Sequence, residues 1–128
     1  MLTEPQKAGL ARALENRRTQ LAREIDEKMA DSRARGGSAN IDQIIEGGDA
    51  ALADALAGLD LAEVQRDLAE LRDIEAARAR LADGSYGTCT DCGEPIALAR
   101  LEAYPTAKRC TDCQTAYERQ RASARPRL

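Results

Sequence analysis

The chain is 128 residues long, the length of one domain, and has no tryptophan, no phenylalanine and only three tyrosines, Tyr86, Tyr104 and Tyr117. A core of ordinary size takes much of its buried area from aromatics, so a single large core is excluded; abundant Ala, Leu, Glu and Arg point to long helices instead. The formal charge of −3 hides an uneven distribution: residues 41–83 hold 11 acidic against 4 basic side chains, the reverse of the basic stripe that duplex binding requires.

From about Thr3 to Asp31 the pattern predicts a helix. Thr3 can cap its start, and Glu4 and Pro5 suit a first turn that tolerates proline and favours acid. Leu10, Leu14, Leu21, Ile25 and Met29 recur at intervals of four and seven, a narrow apolar stripe on a charged helix. The stretch from Arg33 to Asn40, with Gly36-Gly37, breaks that helix, and a short mixed segment from Ile41 closes on Gly47-Gly48. A second long helix is expected from about Asp49 to Ala82. Leu61, Val64, Leu68 and Leu71 follow 3-4-3 spacing, and Ile74 and Leu81 extend the stripe.

Neither stripe is wide enough to be satisfied alone, so the two helices should fold back on each other as an antiparallel hairpin over residues 1–83, its tip near 42–51. A parallel coiled-coil dimer is the alternative, disfavoured because the first stripe lacks sustained heptads; the expected state is a monomer. Residues 83–87, Asp-Gly-Ser-Tyr-Gly, end the second helix and lead into a second region, 84–128. There Gln114 to Arg121 has helical composition, and Ala122 to Leu128 reads as a frayed basic tail. The expected fold is mainly α: a long antiparallel coiled-coil hairpin on a small four-cysteine zinc-finger module with a short C-terminal helix.

That module rests on the chain's four cysteines, paired as Cys89-x-x-Cys92 and Cys110-x-x-Cys113 with seventeen residues between the pairs. The spacing suits a tetrahedral all-cysteine zinc site, since each pair places two soft thiolates on a tight turn. Gly93 follows the first pair, where a knuckle turn needs an unhindered backbone. Two disulfides would need an oxidising compartment, and no secretory signal precedes the chain; thioredoxin-like chemistry would need a strand before the pair. With no apolar run long enough for a bilayer, the chain reads as cytoplasmic, with no membrane partner. One structural Zn2+ is therefore expected on Cys89, Cys92, Cys110 and Cys113. Four cysteines fill the coordination sphere and leave no position for an activated water. With no histidine and no nucleophile beside a recognisable base, catalytic residues are not expected and the chain is not an enzyme.

A second candidate site lies near Glu46-Gly47-Gly48-Asp49-Ala50-Ala51, flanked by Asp42 and Asp54. Carboxylates grouped on a turn can approach a cation or an arginine cluster. The plainer reading is helix capping, with Asp49 as the N-cap.

Tyr86-Gly87-x-Cys89-x-x-Cys92-Gly93-x-x-Ile96, followed by Arg100-Leu101-x-Ala103-x-Pro105-x-Ala107-x-x-Cys110-x-x-Cys113, resembles the zinc-finger motif of the DksA/TraR family of bacterial transcription regulators. Apolar and proline positions agree as well as the cysteines. The arm from roughly Leu2 to Met29 also resembles the first coil of full-length members, and the likeness is weakest at 30–45. The resemblance implies a non-enzymatic regulator that enters the secondary channel of bacterial RNA polymerase with a coiled-coil hairpin. The family's tip carries Asp-x-x-Asp-x-Ala; here Glu46-x-x-Asp49-x-Ala51 occupies it, with Glu in place of the first Asp. In relatives, basic positions help to bind the alarmone ppGpp. Three of those positions here are Asp73, Tyr104 and Gln114, which predicts weak or absent ppGpp dependence. Arg66 and Arg100 keep their charge as residual ppGpp or polymerase contacts. Two other readings stay open: a zinc- or redox-responsive switch, and a zinc ribbon that binds DNA directly through Arg119, Arg121, Arg125 and Arg127. Sequence-specific DNA binding is not expected from the acidic middle.

Overall fold

The computed structural model describes residues 2–34 and 61–124. Among the described residues the elements in chain order are four helices: α1 (Glu4–Ala34), α2 (Leu61–Asp83), α3 (Leu98–Ala103) and α4 (Thr111–Ala124). Among the described residues the only extended pairing is an isolated antiparallel bridge between Thr88 and Pro95. No helix of the described residues is long and apolar enough to cross a membrane.

The start of α1 is locally encoded. The Thr3 hydroxyl accepts from the Gln6 backbone N–H at 3.2 Å, and the Gln6 side-chain oxygen accepts from the Thr3 N–H at 2.9 Å, a reciprocal capping box. The helix runs past the expected Asp31 to Ala34. The end of α2 is equally local. Gly84 sits at φ 82°, the left-handed stop that only glycine adopts without strain, and the N–H groups of Ser85 and Tyr86 both donate to the Arg80 carbonyl. The expected first part of the second helix, residues 49–60, lies outside the described residues.

The chain divides into two compact units, Met1–Leu14 with Ala76–Leu128, and Glu15–Glu75. In the second, Leu21, Ile25 and Met29 of α1 and Val64, Leu68, Leu71 and Ile74 of α2 are all at most 1% exposed. These are the predicted stripes, and each side chain so buried contributes roughly 1.5–3 kcal/mol. Leu81, expected to continue the α2 stripe, is only half-buried, while Ala77 is fully buried. A small residue leaves room for close approach where the aliphatic stripe would otherwise continue.

The pairing is antiparallel. Arg17 Nη2 donates to Glu70 at 2.9 Å and Arg18 pairs with Glu75, whereas Lys28, further along α1, reaches back to Glu63 at 2.7 Å and Asp67 at 3.0 Å. These contacts also account for the break in the first stripe. Between Leu14 and Leu21 a regular repeat would place an apolar residue at 17 or 18, and both positions are arginines answered by glutamates of α2. In each of these pairs the cation comes from α1 and the anion from α2, so the match is between two different helices. The Glu70 and Glu63 carboxylates hold the Arg17 and Lys28 side chains above their ordinary pKa values, burial opposing.

Candidate metal centre

The other unit buries Leu10, Leu14, Tyr86, Ile96 and Leu101 and shapes its cysteine segment with backbone hydrogen bonds. After Gly84, the Asp83 carboxylate accepts from the Ser85 N–H at 2.9 Å and from its hydroxyl at 2.6 Å. These bonds draw its pKa below the ordinary value. Tyr86 then turns inward, 5% exposed, and its hydroxyl donates to the Pro105 carbonyl at 2.7 Å. Burial pushes that hydroxyl up, with Arg80 opposing. Gly87 sits at φ 87°, a backbone conformation that disfavours any side chain, and a Cβ there would press on the tip of Leu2 at 2.9 Å.

The first cysteine pair sits on a knuckle. Cys89 N–H donates to the Glu94 carbonyl at 2.8 Å, Gly93 N–H returns to the Cys89 carbonyl at 3.0 Å, and Ile96 N–H donates to Gly87 at 2.7 Å. Gly93 takes φ 77°, as the sequence predicted for an unhindered turn. The second pair differs from expectation. Cys110 precedes α4, and Cys113 lies inside its first turn, because the helix begins at Thr111 rather than near Gln114. The helix also continues through Ala122 to Ala124, where a frayed tail was expected; residues 125–128 lie outside the described residues. Arg119, Gln120, Arg121 and Ala122 are compatible with helix and exposed, while Arg125 and Arg127, the charges of the expected tail, lie outside the described residues.

The fold brings the four sulfurs together: Cys89, Cys92, Cys110 and Cys113 place their Sγ atoms all within 4.8 Å of one another, and Cys92 and Cys110 are 3.9 Å apart. None of the four is in a disulfide. A tetrahedron of Zn–S bonds near 2.3 Å has edges of about 3.8 Å, so the donor set fits a zinc ion in size and in chemistry. Burial resists ionisation of Cys89, but N–H groups from Cys92, Cys110 and Asp91 outweigh it and bring the thiol down to about 6. The Cys113 thiol is pushed up, chiefly by its hydrogen bonds to Cys110 and then to Cys89 and Cys92. Four thiolates this close repel one another, and a dication removes that conflict.

Between the pairs lies a helix that the sequence reading missed, α3 (Leu98–Ala103), with Leu101 fully buried. Leu98 and Leu101, three apart between Pro95 and Pro105, were the available signal, too short to stand out. Arg100 is committed locally: its Nε donates to the Arg109 carbonyl at 3.0 Å, and its guanidinium lies 5.9 Å from the Tyr104 ring centre. Arg66 is exposed on α2, as is Asp73, and Tyr104 is 63% exposed; Gln114 is half-buried on α4. Arg109, also overlooked, donates to Asp91 at 2.8 Å and stacks 4.0 Å from the Tyr117 ring. The proposed tip residues Glu46, Asp49 and Ala51 lie outside the described residues.

With this geometry in hand, likeness to known proteins becomes informative. Residues 84–119 match the model of the prokaryotic dksA/traR C4-type zinc finger. The chain is 46% identical over 61 residues to the RNA polymerase-binding transcription factor DksA of Caulobacter vibrioides (strain NA1000 / CB15N), a match covering 48% of this chain and 43% of that relative, less than half its length. It is 32% identical over 117 residues to the protein of the same name from Escherichia coli (strain K12), covering 91% of this chain and 74% of the relative. Among solved structures, transcription factor DksA2 from Pseudomonas aeruginosa superposes with a TM-score of 0.67 at 26% identity, over 93% of this chain and 88% of that one. The likeness extends from the cysteine knuckles through both long helices, and the chain belongs to the DksA/TraR family.

Proposed function

We propose that this chain is a non-enzymatic regulator of transcription that binds bacterial RNA polymerase. The observation that carries this reading is a relative named for polymerase binding that matches along 91% of the chain, together with a four-sulfur cluster of zinc-site dimensions. One structural Zn2+ on Cys89, Cys92, Cys110 and Cys113 ties the two knuckles together. Four sulfur ligands leave no site for an activated water, so the metal supplies folding energy rather than chemistry. The paired helices enter the secondary channel, and the acidic segment Glu46-x-x-Asp49-x-Ala51 acts near the catalytic centre. On this reading residues 1–83 are the working hairpin and 84–128 its zinc-bearing base.

Dependence on ppGpp is weak or absent, because Asp73, Tyr104 and Gln114 offer an acid, a phenol and an amide where a polyphosphate needs cations. Arg100 is already engaged with Arg109 and Tyr104, which further reduces its availability. The test is site-specific crosslinking from position 49 to purified polymerase, with transcription by Asp49→Asn run in parallel. Crosslinks to channel-lining segments, and a variant that binds but has lost its effect on initiation, are expected. No crosslink, or full activity in Asp49→Asn, would sink the tip mechanism; failure to bind polymerase at all would sink the whole reading. Full ppGpp synergy that Asp73→Lys leaves unchanged would remove the ppGpp part alone.

A further inference from the structure

The four sulfurs come from two separate stretches of chain, and one side chain touches both. Arg109 immediately precedes Cys110. Its Nε donates to Asp91 Oδ2 at 2.8 Å, across 18 residues, and Asp91 lies between Cys89 and Cys92 on the first knuckle. Its guanidinium lies 4.0 Å from the ring centre of Tyr117, one helical turn beyond Cys113 on α4. Its own carbonyl is held by Arg100 Nε at 3.0 Å. The Arg109 side chain is only 14% exposed, while its partner Asp91 is 44% exposed. The planar guanidinium serves both contacts at once, its edge on the carboxylate and its face on the ring.

We propose that Arg109 is a positioning residue for the metal cluster: by locking the Cys89–Cys92 knuckle to the Cys110–Cys113 segment, it sets how slowly Zn2+ leaves. The inference rests on the zinc reading above. A zinc ion escapes by losing thiolates one after another. While the two ligand pairs are pinned together, a sulfur that lets go remains at high local concentration and rebinds. The backbone ties the same two stretches through Thr90 N–H to the Lys108 carbonyl at 2.9 Å and through the Cys110 N–H to the Cys89 sulfur, and Arg109 adds a side-chain tie to these. The molecule also contains a control. Arg121 lies 5.7 Å from the same Tyr117 ring and donates to the Tyr117 hydroxyl at 3.2 Å. It makes no such bond to the first knuckle.

The test loads the full-length chain with Zn2+ and follows metal transfer to excess 4-(2-pyridylazo)resorcinol by absorbance. Arg109→Ala should release zinc roughly 10-fold faster, the scale expected when a group that orients metal ligands is removed. Arg109→Lys, which keeps a cation against Asp91, should recover part of the difference, and Arg121→Ala should stay within about twofold of the parent. Asp91→Asn should accelerate release by itself but add little on top of Arg109→Ala, since both remove one contact. Thermal loss of helix signal should move little in any of these variants. An unchanged rate in Arg109→Ala, an equal acceleration in Arg121→Ala, or independent effects of Asp91→Asn and Arg109→Ala would each overturn the proposal. If Arg109→Ala fails to load metal, Tyr117→Leu and Asp91→Asn each remove one half of the lock, and unchanged rates in both would overturn it equally. A parent chain that takes up no Zn2+ would defeat the metal reading itself, and the lock with it.

Discussion

Both compact units bury a set of apolar side chains, but one of them adds a sulfur cluster to that burial. Between Glu15 and Glu75 the chain is held by side-chain burial: seven aliphatic and thioether residues, at most 1% exposed, lie along two helices and are flanked by ion pairs. In the unit holding Met1–Leu14 and Ala76–Leu128, the cysteine segment runs on backbone hydrogen bonds, positive-φ glycines and four sulfurs within 4.8 Å of one another. The contrast teaches where each unit is vulnerable. Burial along a seam is distributed, so damage is graded. A four-ligand cluster is a single joint, and losing one ligand undoes the rest.

The largest expected effect comes from breaking that joint. Cys89→Ser, or removal of metal by chelation, should abolish stoichiometric zinc binding while circular dichroism keeps most of its helical signal. Collapse of the whole helical signal would show that the units are not separable in the way the contrast implies. Next in size is damage to the seam: Leu68→Ala should cost about 2–5 kcal/mol in urea unfolding followed at 222 nm, yet leave zinc stoichiometry intact. Gly87→Ala should cost about 1–2 kcal/mol, because its left-handed backbone at φ 87° penalises a side chain. Its effect should appear in the unfolding of the cysteine unit, read by tyrosine fluorescence, since Tyr86, Tyr104 and Tyr117 all lie in that unit.

Smaller effects sharpen the comparison. Glu70→Gln removes the partner of Arg17, both about two-fifths exposed, and should cost about 0.2–1 kcal/mol, an effect that disappears in high salt. The smallest is a pH effect at the end of α2. The Asp83 carboxylate titrates below its ordinary value because it accepts from Ser85, so its contribution is complete above the unfolded-state pKa. It is lost as pH falls through the lower folded value. A lower protection factor for the Ser85 amide in Asp83→Asn, one that acidification does not lower further once intrinsic exchange is corrected for, is the expected result.

Much of this was legible in the residues. Leu10, Leu14, Leu21, Ile25 and Met29, and Val64, Leu68, Leu71 and Ile74, were read as buried stripes from spacing alone and are buried. Helical period is a local property, and a narrow stripe on a charged helix can only be covered by another. The cysteine spacing likewise announced the sulfur cluster, because two knuckles with small-residue turns have few other uses. What stayed hidden was set by residues distant in sequence. Nothing local distinguishes Arg17 and Arg18 from other surface arginines until Glu70 and Glu75 arrive from α2. Leu98–Ala103 is too short to be helical on propensity and is held by burial of Leu101.

The sequence by itself determined the helical period, the stop at Gly84, the knuckle turn at Gly93 and the pairing of thiols, since each depends on neighbours a few residues away. Only the tertiary structure decided that Cys113 is carried on a helix, that α1 supplies the cations and α2 the anions in the interhelical pairs described here, and that Arg109 bridges Asp91 and Tyr117. Those features depend on which surfaces meet, and a guanidinium has no preferred partner until the fold presents a carboxylate to its edge and a ring to its face.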